Sequence, residues 1–239
     1  MNIIKLDAIE STNDYLKSSK INDTKIVYTY NQTKGKGQRG NNWLSEPGKN
    51  VAFSIKLLPN NFQIKDQFRI NIIFSIFLVN SLKALKIPDI KIKWPNDIMS
   101  GNKKICGILN ELKVKGNYIQ EIVVGFGLNV NQENFNNLPN ASSLKLITSL
   151  NFRLDEIVSL LIQNLKRYNY LEKLFTIESD FIDLYNCNLY GLNSIFEFEN
   201  GKTRFKGEII SVSKEGSLKI KKKCGTVNSY NVHEVKLIY

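Results

Sequence analysis

Residues 25–31 (KIVYTYN) are rich in β-branched and aromatic side chains and run into a glycine-rich stretch, which predicts a strand. Residues 35–50 hold five glycines or prolines and no apolar period, so a long loop is expected there. VAFSIKLL (51–58) resumes as a strand. From Asp66 to Leu85 apolar residues recur all round a helical wheel, the pattern of a helix buried against a sheet. KIKW (91–94), KKICGILNEL (103–112) and YIQEIVVGFGLNVN (118–131) read as strands joined by Gly/Asn turns. A second helical block, 154–175, sets Leu154, Ile157, Val158, Leu161, Leu165, Tyr168 and Leu171 at three-to-four spacing, and a shorter helix is expected over 178–185. Strands grouped in the middle with helices on one face make an α+β fold with a mixed β-sheet.

After Tyr190 the texture changes. SIFEFEN, TRFKGEIISVS, GSLKIKKK and TVNSYNV are short strands separated by Gly, Asn and Ser turns, which predicts a small C-terminal β-barrel of roughly fifty residues. A unit of that size either folds alone or leans on its neighbour. The boundary falls near Asn186, dividing the chain into domains 1–186 and 187–239.

Composition narrows the class. Apolar residues make up 42% of the 239, with 13 Phe and 10 Tyr, enough for a proper core and against wholesale disorder. Lys and Arg number 33 against 22 acidic residues, a net charge of +11 that suits an anionic partner or reflects codon drift toward Lys and Asn. Cys106, Cys187 and Cys224 form no C-x-x-C pair, so neither a disulfide framework nor a zinc knuckle is suggested. His233 is the single histidine, which makes a Ser-His-Asp triad or a multi-His metal cluster a poor fit. The N-terminus lacks the pattern of a secretory signal, and the apolar run Ile70 to Val79 is too short for a bilayer, which takes about 20 residues. A soluble cytoplasmic protein is expected.

The candidate chemistry lies in loops and strand ends. Gly35-Lys36-Gly37-Gln38-Arg39-Gly40 formally matches the dinucleotide fingerprint G-x-G-x-x-G, but that motif must open a helix, and Asn-Asn-Trp-Leu-Ser-Glu-Pro-Gly cannot. A Walker loop fails too, because Gly48-Lys49 is followed by Asn50. The loop still offers backbone that can approach a ligand closely, positive charge on Lys34, Lys36 and Arg39 for a phosphate, and the flat face of Trp43 for a base. Its bland alternative is a solvated basic loop. In Lys93-Trp94-Pro95-Asn96-Asp97, Pro95 ends a strand, so Asn96 and Asp97 emerge at its tip. Lys104 starts the returning strand, where a hairpin could set its ammonium beside Asp97. Gly125 and Gly127 within a strand mark a close approach of ligand or backbone, or else a bulge. Ser11 reads as a helix N-cap.

Taken in order, Ser11-Thr12-Asn13, Gln32 with the GKGQRGNNW loop, KWPNDI, KKICGIL and GFGLNVN resemble the biotin protein ligases over essentially the whole chain. The resemblance implies a biotinyl/lipoyl ligase-like catalytic domain followed by an SH3-like barrel. It implies a two-step reaction, in which biotin and ATP with Mg2+ give biotinyl-5′-AMP and a lysine of a biotin carrier domain then takes the biotinyl group. That carrier would belong to a biotin-dependent carboxylase such as acetyl-CoA carboxylase. The roles implied for biotin binding fall on Ser11, Thr12, Asn13, Gln32, Lys36, Gly37, Gln38 and Lys104. Those for ATP or adenylate fall on Lys36, Arg39, Trp43, Asn96, Lys104 and Asn129, and those for catalysis on Lys104 and Asp97. Metal ligands stay unassigned. The family loop carries arginines where this chain has Lys36, Gln38 and Asn41, so looser retention of the adenylate is expected unless Arg39 and Lys34 compensate. Ser11 lies close to Met1, which leaves no room for a preceding DNA-binding helix-turn-helix; a monofunctional enzyme without DNA or membrane partners, able to form a homodimer, is expected. Two other classes compete: a lipoate ligase or octanoyltransferase of the same fold, which would carry a histidine motif that this chain lacks, and a basic nucleic-acid-binding module.

Overall fold

The computed structural model describes residues 1–19, 23–136, 138–176 and 180–238. Strands β1 (Asn2–Leu6) and β2 (Lys25–Thr29) flank helix α1 (Thr12–Ser18), and the glycine-rich segment forms a small ribbon, β3 (Gly35–Lys36) with β4 (Asn42–Trp43). Then come β5 (Asn50–Leu57), β6 (Phe62–Gln63), helix α2 (Phe68–Ala84), β7 (Ile90–Lys93), β8 (Asp97–Ser100), β9 (Lys103–Lys115) and β10 (Tyr118–Asn129). The main sheet runs β1-β2-β5-β10-β9-β8-β7, with β6 paired to β10. Only β1 with β2 is parallel among these pairs, so the sheet is mixed, as the strand grouping implied.

Helices α3 (Leu144–Thr148), α4 (Leu154–Arg167), α5 (Tyr170–Lys173) and α6 (Asp180–Cys187) follow. The long apolar helix α2 is buried on nearly every side because it lies between the sheet and α4, α5 and α6. The expected helix over 154–175 is broken: Asn169 sits in the left-handed region at φ 49°, a conformation asparagine tolerates, and splits it into α4 and α5. Part of the helix expected over 178–185 lies outside the described residues; α6 accounts for the rest. Strand β1 and helix α3 carry weak patterns and escape the periodicity reading. For α3 a cap was readable, since Ser143 Oγ accepts from Leu146 N at 3.2 Å.

Strand alternation sends Ile26, Phe53, Ile55, Ile122, Val124 and Phe126 to the α2 side. Val27 and Val123 point the other way and meet Leu16 of α1 in a second small cluster. The larger helices thus share one face and α1 alone takes the opposite one. Strand β5, covered on both sides, is buried along its whole length. Its Lys56 is accommodated by charge and carbonyls: Nζ lies 2.8 Å from Glu121 and donates to Leu16 O and Ser19 O at the end of α1, both at 3.2 Å.

The C-terminal residues form β11 (Ile195–Asn200), β12 (Thr203–Val212), β13 (Leu218–Lys222), β14 (Val227–Tyr230) and β15 (Lys236–Ile238). Their order is β14-β13-β12-β11-β15, all antiparallel. The expected closed barrel is not found among the described residues: β14 and β15, of four and three residues, stand at opposite ends of an open five-stranded sheet and do not pair there. The sheet leans on its neighbour instead. Phe198, Ile209, Val212, Leu218, Ile220 and Tyr230 belong to the same hydrophobic cluster as the main core. Trp94 Nε1 donates to Gly216 O at 2.9 Å, and Asn186 exchanges two hydrogen bonds with the backbone of Val212. No helix of the described residues is long and apolar enough to cross a membrane.

Candidate active site

Three adjoining cavities meet at Trp43 and Lys104, which line all of them. The first opens on the α1 side of the main sheet. Ser11 caps α1, accepting from Asp14 N at 3.3 Å, so the first turn of the helix delivers Thr12 and Asn13 to the cavity wall. Gln32 Oε1 accepts from Thr12 N at 2.9 Å and from Thr12 Oγ1 at 3.1 Å. Thr12 Oγ1 also lies 2.7 Å from Ser54 Oγ, which donates to Asn13 Oδ1 at 2.6 Å. Asn13 Nδ2 in turn donates to Glu111 at 2.8 Å. The result is a wall of small, mostly buried polar groups, which can read a compact ring bearing both donors and acceptors.

Glycine is required on the facing strand. A Cβ on Gly125 would stand 2.1 Å from Asn13 Oδ1, and one on Gly127 would stand 2.4 Å from the Trp43 indole. Gly127 and Gly107 are register partners in β10 and β9, so together they clear a patch of sheet on which Trp43 lies. The β10 irregularity falls at Ile119/Glu121, well away from these glycines, so they mark close approach rather than a bulge.

The cationic end of the cavity comes from the β7–β9 meander. Lys104 Nζ lies 2.6 Å from Asp97 Oδ1 and 5.3 Å from the centre of the Trp43 ring. Sequence alone left it open whether the hairpin would bring them together, and its geometry explains why it does. Asp97 pairs with Gly107, but the register slips between Ile98 and Met99, a bulge that buries both Ile105 and Cys106 and turns Lys104 to the Gly107 side. Asn96 is fixed by two bonds to Ile108, one from its side chain to the carbonyl at 2.7 Å and one from the Ile108 amide to its own carbonyl at 2.9 Å. Burial pulls the half-buried Lys93 down to about 8, with Lys104 and Lys236 adding to the effect and Asp97 opposing it. Burial likewise raises the Cys106 thiol, which leaves it an inert core residue.

The glycine-rich segment overhangs the first cavity. Gln38–Gly40 make a single 3-10 turn and no helix follows, in keeping with rejection of the dinucleotide motif. The expected loop is instead a hairpin, with Gly35 opposite Trp43, Lys36 opposite Asn42, and Gly37 N donating to Asn41 O at 2.6 Å. Lys36, Gly37 and Gln38 line the first cavity. Arg39 does not: it sits at the tip with φ 59° and lines the second cavity, a groove between this hairpin and the C-terminal sheet that also holds Lys93, Asp97, His233 and Lys236. Asn129 is also outside the first cavity. It lines the third, among Leu44, Phe135, Leu138 and Pro139. Its Nδ2 donates to Ser142 O at 2.9 Å, while its buried Oδ1 has no partner among the described residues.

The structure therefore brings together Ser11, Thr12, Asn13, Gln32, Lys36, Gly37, Gln38, Trp43, Asn96 and Lys104 on one cavity, with Asp97 paired to Lys104 at its edge. Sequence reasoning missed Ser54 and Glu111. An interior serine in an otherwise apolar strand was the available signal for Ser54; Glu111 had none. Among the described residues no group of three or more His, Cys, Asp or Glu gathers to hold a metal.

A polar ring-reading pocket that ends in a lysine and an aromatic face, on a mixed sheet with an appended antiparallel sheet, defines a small-molecule site with an anion-handling end. The chain belongs to the Biotin/lipoate A/B protein ligase family, whose model matches residues 6–129. It is 28% identical over 134 residues to the bifunctional ligase/repressor BirA of Bacillus spizizenii, covering 55% of this chain and 41% of that protein. It is 30% identical over 106 residues to the biotin–[acetyl-CoA-carboxylase] ligase of Paracoccus denitrificans, covering 44% and 43%. The chain thus spans about two fifths of the length of these curated relatives. The biotin protein ligase of Aquifex aeolicus, solved with biotin and ATP, superposes with a TM-score of 0.82 at 26% identity over 99% of this chain and 98% of that one.

Proposed function

We propose that the protein is an ATP-dependent ligase that activates biotin as biotinyl-5′-AMP and passes the biotinyl group to a lysine of a biotin carrier domain, such as that of acetyl-CoA carboxylase. The observation that carries this is the junction: three cavities of different chemistry share Lys104 and Trp43. The first suits a ring with hydrogen-bonding edges, read by Ser11, Thr12, Asn13, Gln32 and, from the lid, Lys36, Gly37 and Gln38. The third is mostly apolar, with the buried Asn129 Oδ1 unpartnered among the described residues, and suits a purine bearing an exocyclic amine. The second is basic and suits phosphates or an approaching amine, with Arg39 at its rim.

A carboxylate is already a nucleophile, so the first step needs two anions held in line rather than a base. The acid's carboxylate oxygen attacks the α-phosphorus of ATP and pyrophosphate leaves. Lys104 and Lys36 offset the negative charge, Trp43 packs on the base, and Asn96 holds the hairpin that presents Lys104. In the second step the carrier lysine's nitrogen attacks the acyl carbon, AMP leaves, and Asp97 orients the amine and takes its proton. Mg2+ is implied by the family, and among the described residues no group of three or more His, Cys, Asp or Glu gathers to hold it. On the same reading, residues 1–186 are the catalytic unit and 187–239 a C-terminal unit that closes the groove, in a cytoplasmic enzyme whose homodimerisation is a matter for sedimentation.

The test is pyrophosphate release with ATP and Mg2+, comparing biotin, lipoate and no acid, followed by transfer to an added biotin carrier domain. Release with biotin alone and labelling of the carrier are expected. Release with lipoate instead would move the protein to the sister activity, and silence with both acids would overturn the proposal.

A further inference from the structure

Behind the third cavity lies a buried amide that lines none of it. Gln132 follows the end of β10, three residues beyond Asn129. Its Oε1 accepts from Glu46 N at 3.1 Å and from the side chain of Asn50, and its Nε2 donates to Asn134 O at 2.7 Å. Asn50 is buried too, donating to Ser45 Oγ at 3.1 Å and accepting from Val130 N at 3.0 Å. Two side chains therefore clasp three pieces of backbone. The segment after Trp43 carries Leu44 to the cavity, the end of β10 carries Asn129, and the segment after Asn134 carries Phe135 and Leu138. The far end of that last segment is fastened separately. Lys104 N donates to Asn140 O at 2.7 Å, Ser142 N donates to Lys104 O at 2.9 Å, and Asn129 Nδ2 donates to Ser142 O. Its near end has Gln132 and a surface pair, Lys145 with Glu133 at 2.6 Å, which contributes little. Removing the buried amide would leave its backbone partners unpaired, so the clasp matters more than its size suggests.

We propose that Gln132 is a positioning residue for the nucleotide, holding the Leu44 and Phe135 walls of the third cavity at the separation that takes the base of ATP. This rests on the reading of the third cavity as the purine site. Gln132 touches neither the base nor a reacting atom; it acts through the backbone at Glu46 and Asn134. The acid site is spared, because the hydrogen bonds among Thr12, Asn13, Gln32, Ser54 and Glu111 share no partner with it.

The probe is α,β-methylene-ATP, which cannot release pyrophosphate, so binding is read without chemistry. In titration calorimetry with saturating biotin and Mg2+, Gln132→Met should bind the analogue about five- to thirtyfold more weakly than wild type, the equivalent of one to two neutral hydrogen bonds. Biotin alone should bind within about twofold of wild type. In pyrophosphate release, KM for ATP should rise by the same factor with kcat within about threefold. Asn164→Ala deletes another buried neutral bond, to Ser81 Oγ at 3.1 Å between α4 and α2, and should lower Tm without changing affinity for the analogue. Glu46→Pro removes one donor of the clasp from an outer segment, and should weaken the analogue about three- to fivefold; it carries the test if Gln132→Met does not fold. Unchanged affinity in Gln132→Met overturns the proposal, as does an equal loss of biotin affinity or an equal effect in Asn164→Ala. A wild type that does not bind the analogue overturns the purine reading on which the clasp rests. Weaker binding in Gln132→Met, in a protein that releases no pyrophosphate with any acid, supports the clasp and overturns the ligase reading.

Discussion

Gly125→Ala is a small change with a large expected consequence. The backbone there is ordinary strand, so alanine meets no conformational bar; the obstacle is Asn13 Oδ1, which would lie 2.1 Å from the new methyl. Asn13 cannot yield without leaving its bonds to Ser54 at 2.6 Å and Glu111 at 2.8 Å. Losing the neutral bond costs about 1 kcal/mol and the bond to the carboxylate about 1.5–3 kcal/mol. Replacing glycine returns about 0.4–1 kcal/mol by restricting the unfolded chain. The net is a loss of about 1.5–3.6 kcal/mol, or a fall in Tm of about 3–14 °C for a chain of this size. A displaced Asn13 also costs the pocket one reader of the acid's ring, worth about 2 kcal/mol or roughly thirtyfold in affinity. Scanning and titration calorimetry with biotin measure the two effects on one sample. Gly116→Ala is the control: Gly116 has φ 59° in an open turn, so it should lose stability without losing affinity. Biotin binding by Gly125→Ala at wild-type affinity would refute the placement of Asn13 in the acid pocket.

Lys104→Met removes the cation shared by all three cavities and should slow biotin-dependent pyrophosphate exchange by about a hundred- to a thousandfold, while a loss under tenfold would take Lys104 out of the chemistry. Lys93 has a folded pKa of about 8 against an ordinary 10.5, so between those values the unfolded chain binds more protons and stability rises with pH; below 8 the penalty is present in full. Lys93→Met, which leaves Asp97, Lys104 and Lys236 in place around it, should be more stable than wild type at pH 7 and show a flatter rise between about pH 8 and 9.5. Urea midpoints that run parallel for the two proteins across that range would contradict the burial of Lys93. Gln38→Arg adds a charge to a residue that lines both the first cavity and the basic groove, and should slow adenylate dissociation by about three- to tenfold. An unchanged dissociation rate counts against the view that the missing arginines loosen retention.

What was legible in the chain was what depends on short-range pattern. Apolar residues all round the wheel located α2 and three-to-four spacing located α4, while Pro95 and the Lys104 hairpin offered the Lys104–Asp97 pair only as one of two outcomes. Gly125 and Gly127 flagged a close approach, although the approaching group, Asn13 or Trp43, lay far away in sequence. What stayed hidden depends on long-range packing. Ser54 and Glu111 matter because α1 lies across β2, β5 and β10, with Asn13 and Lys17 reaching Glu111 on β9, and no local pattern reports that α1 takes the face opposite to α2. Closure of a barrel likewise depends on whether two terminal strands meet, and strand spacing is silent on that. The separation of Arg39 and Asn129 from the first cavity reflects one side chain, Trp43, which lies on the cleared glycine patch and divides the space into three.

On the proposed reading, the Lys104–Asp97 pair also imposes an order on the two steps. At 2.6 Å the Lys104 ammonium occupies the Asp97 carboxylate, so a second amine cannot pair with that oxygen while the contact persists. An anion entering the junction competes for Lys104, and the acid's carboxylate, with the phosphate it attacks, supplies more negative charge than Asp97 does. As Lys104 turns toward the forming adenylate, Asp97 is released on the side that faces the basic groove, where a carrier lysine would enter. A positively charged amine is attracted to that carboxylate only once its lysine has been drawn away. The bulge at Ile105 makes the exchange short, since it sets both groups on the same side of one hairpin. The base is thereby withheld until there is an activated acyl group for the amine to attack.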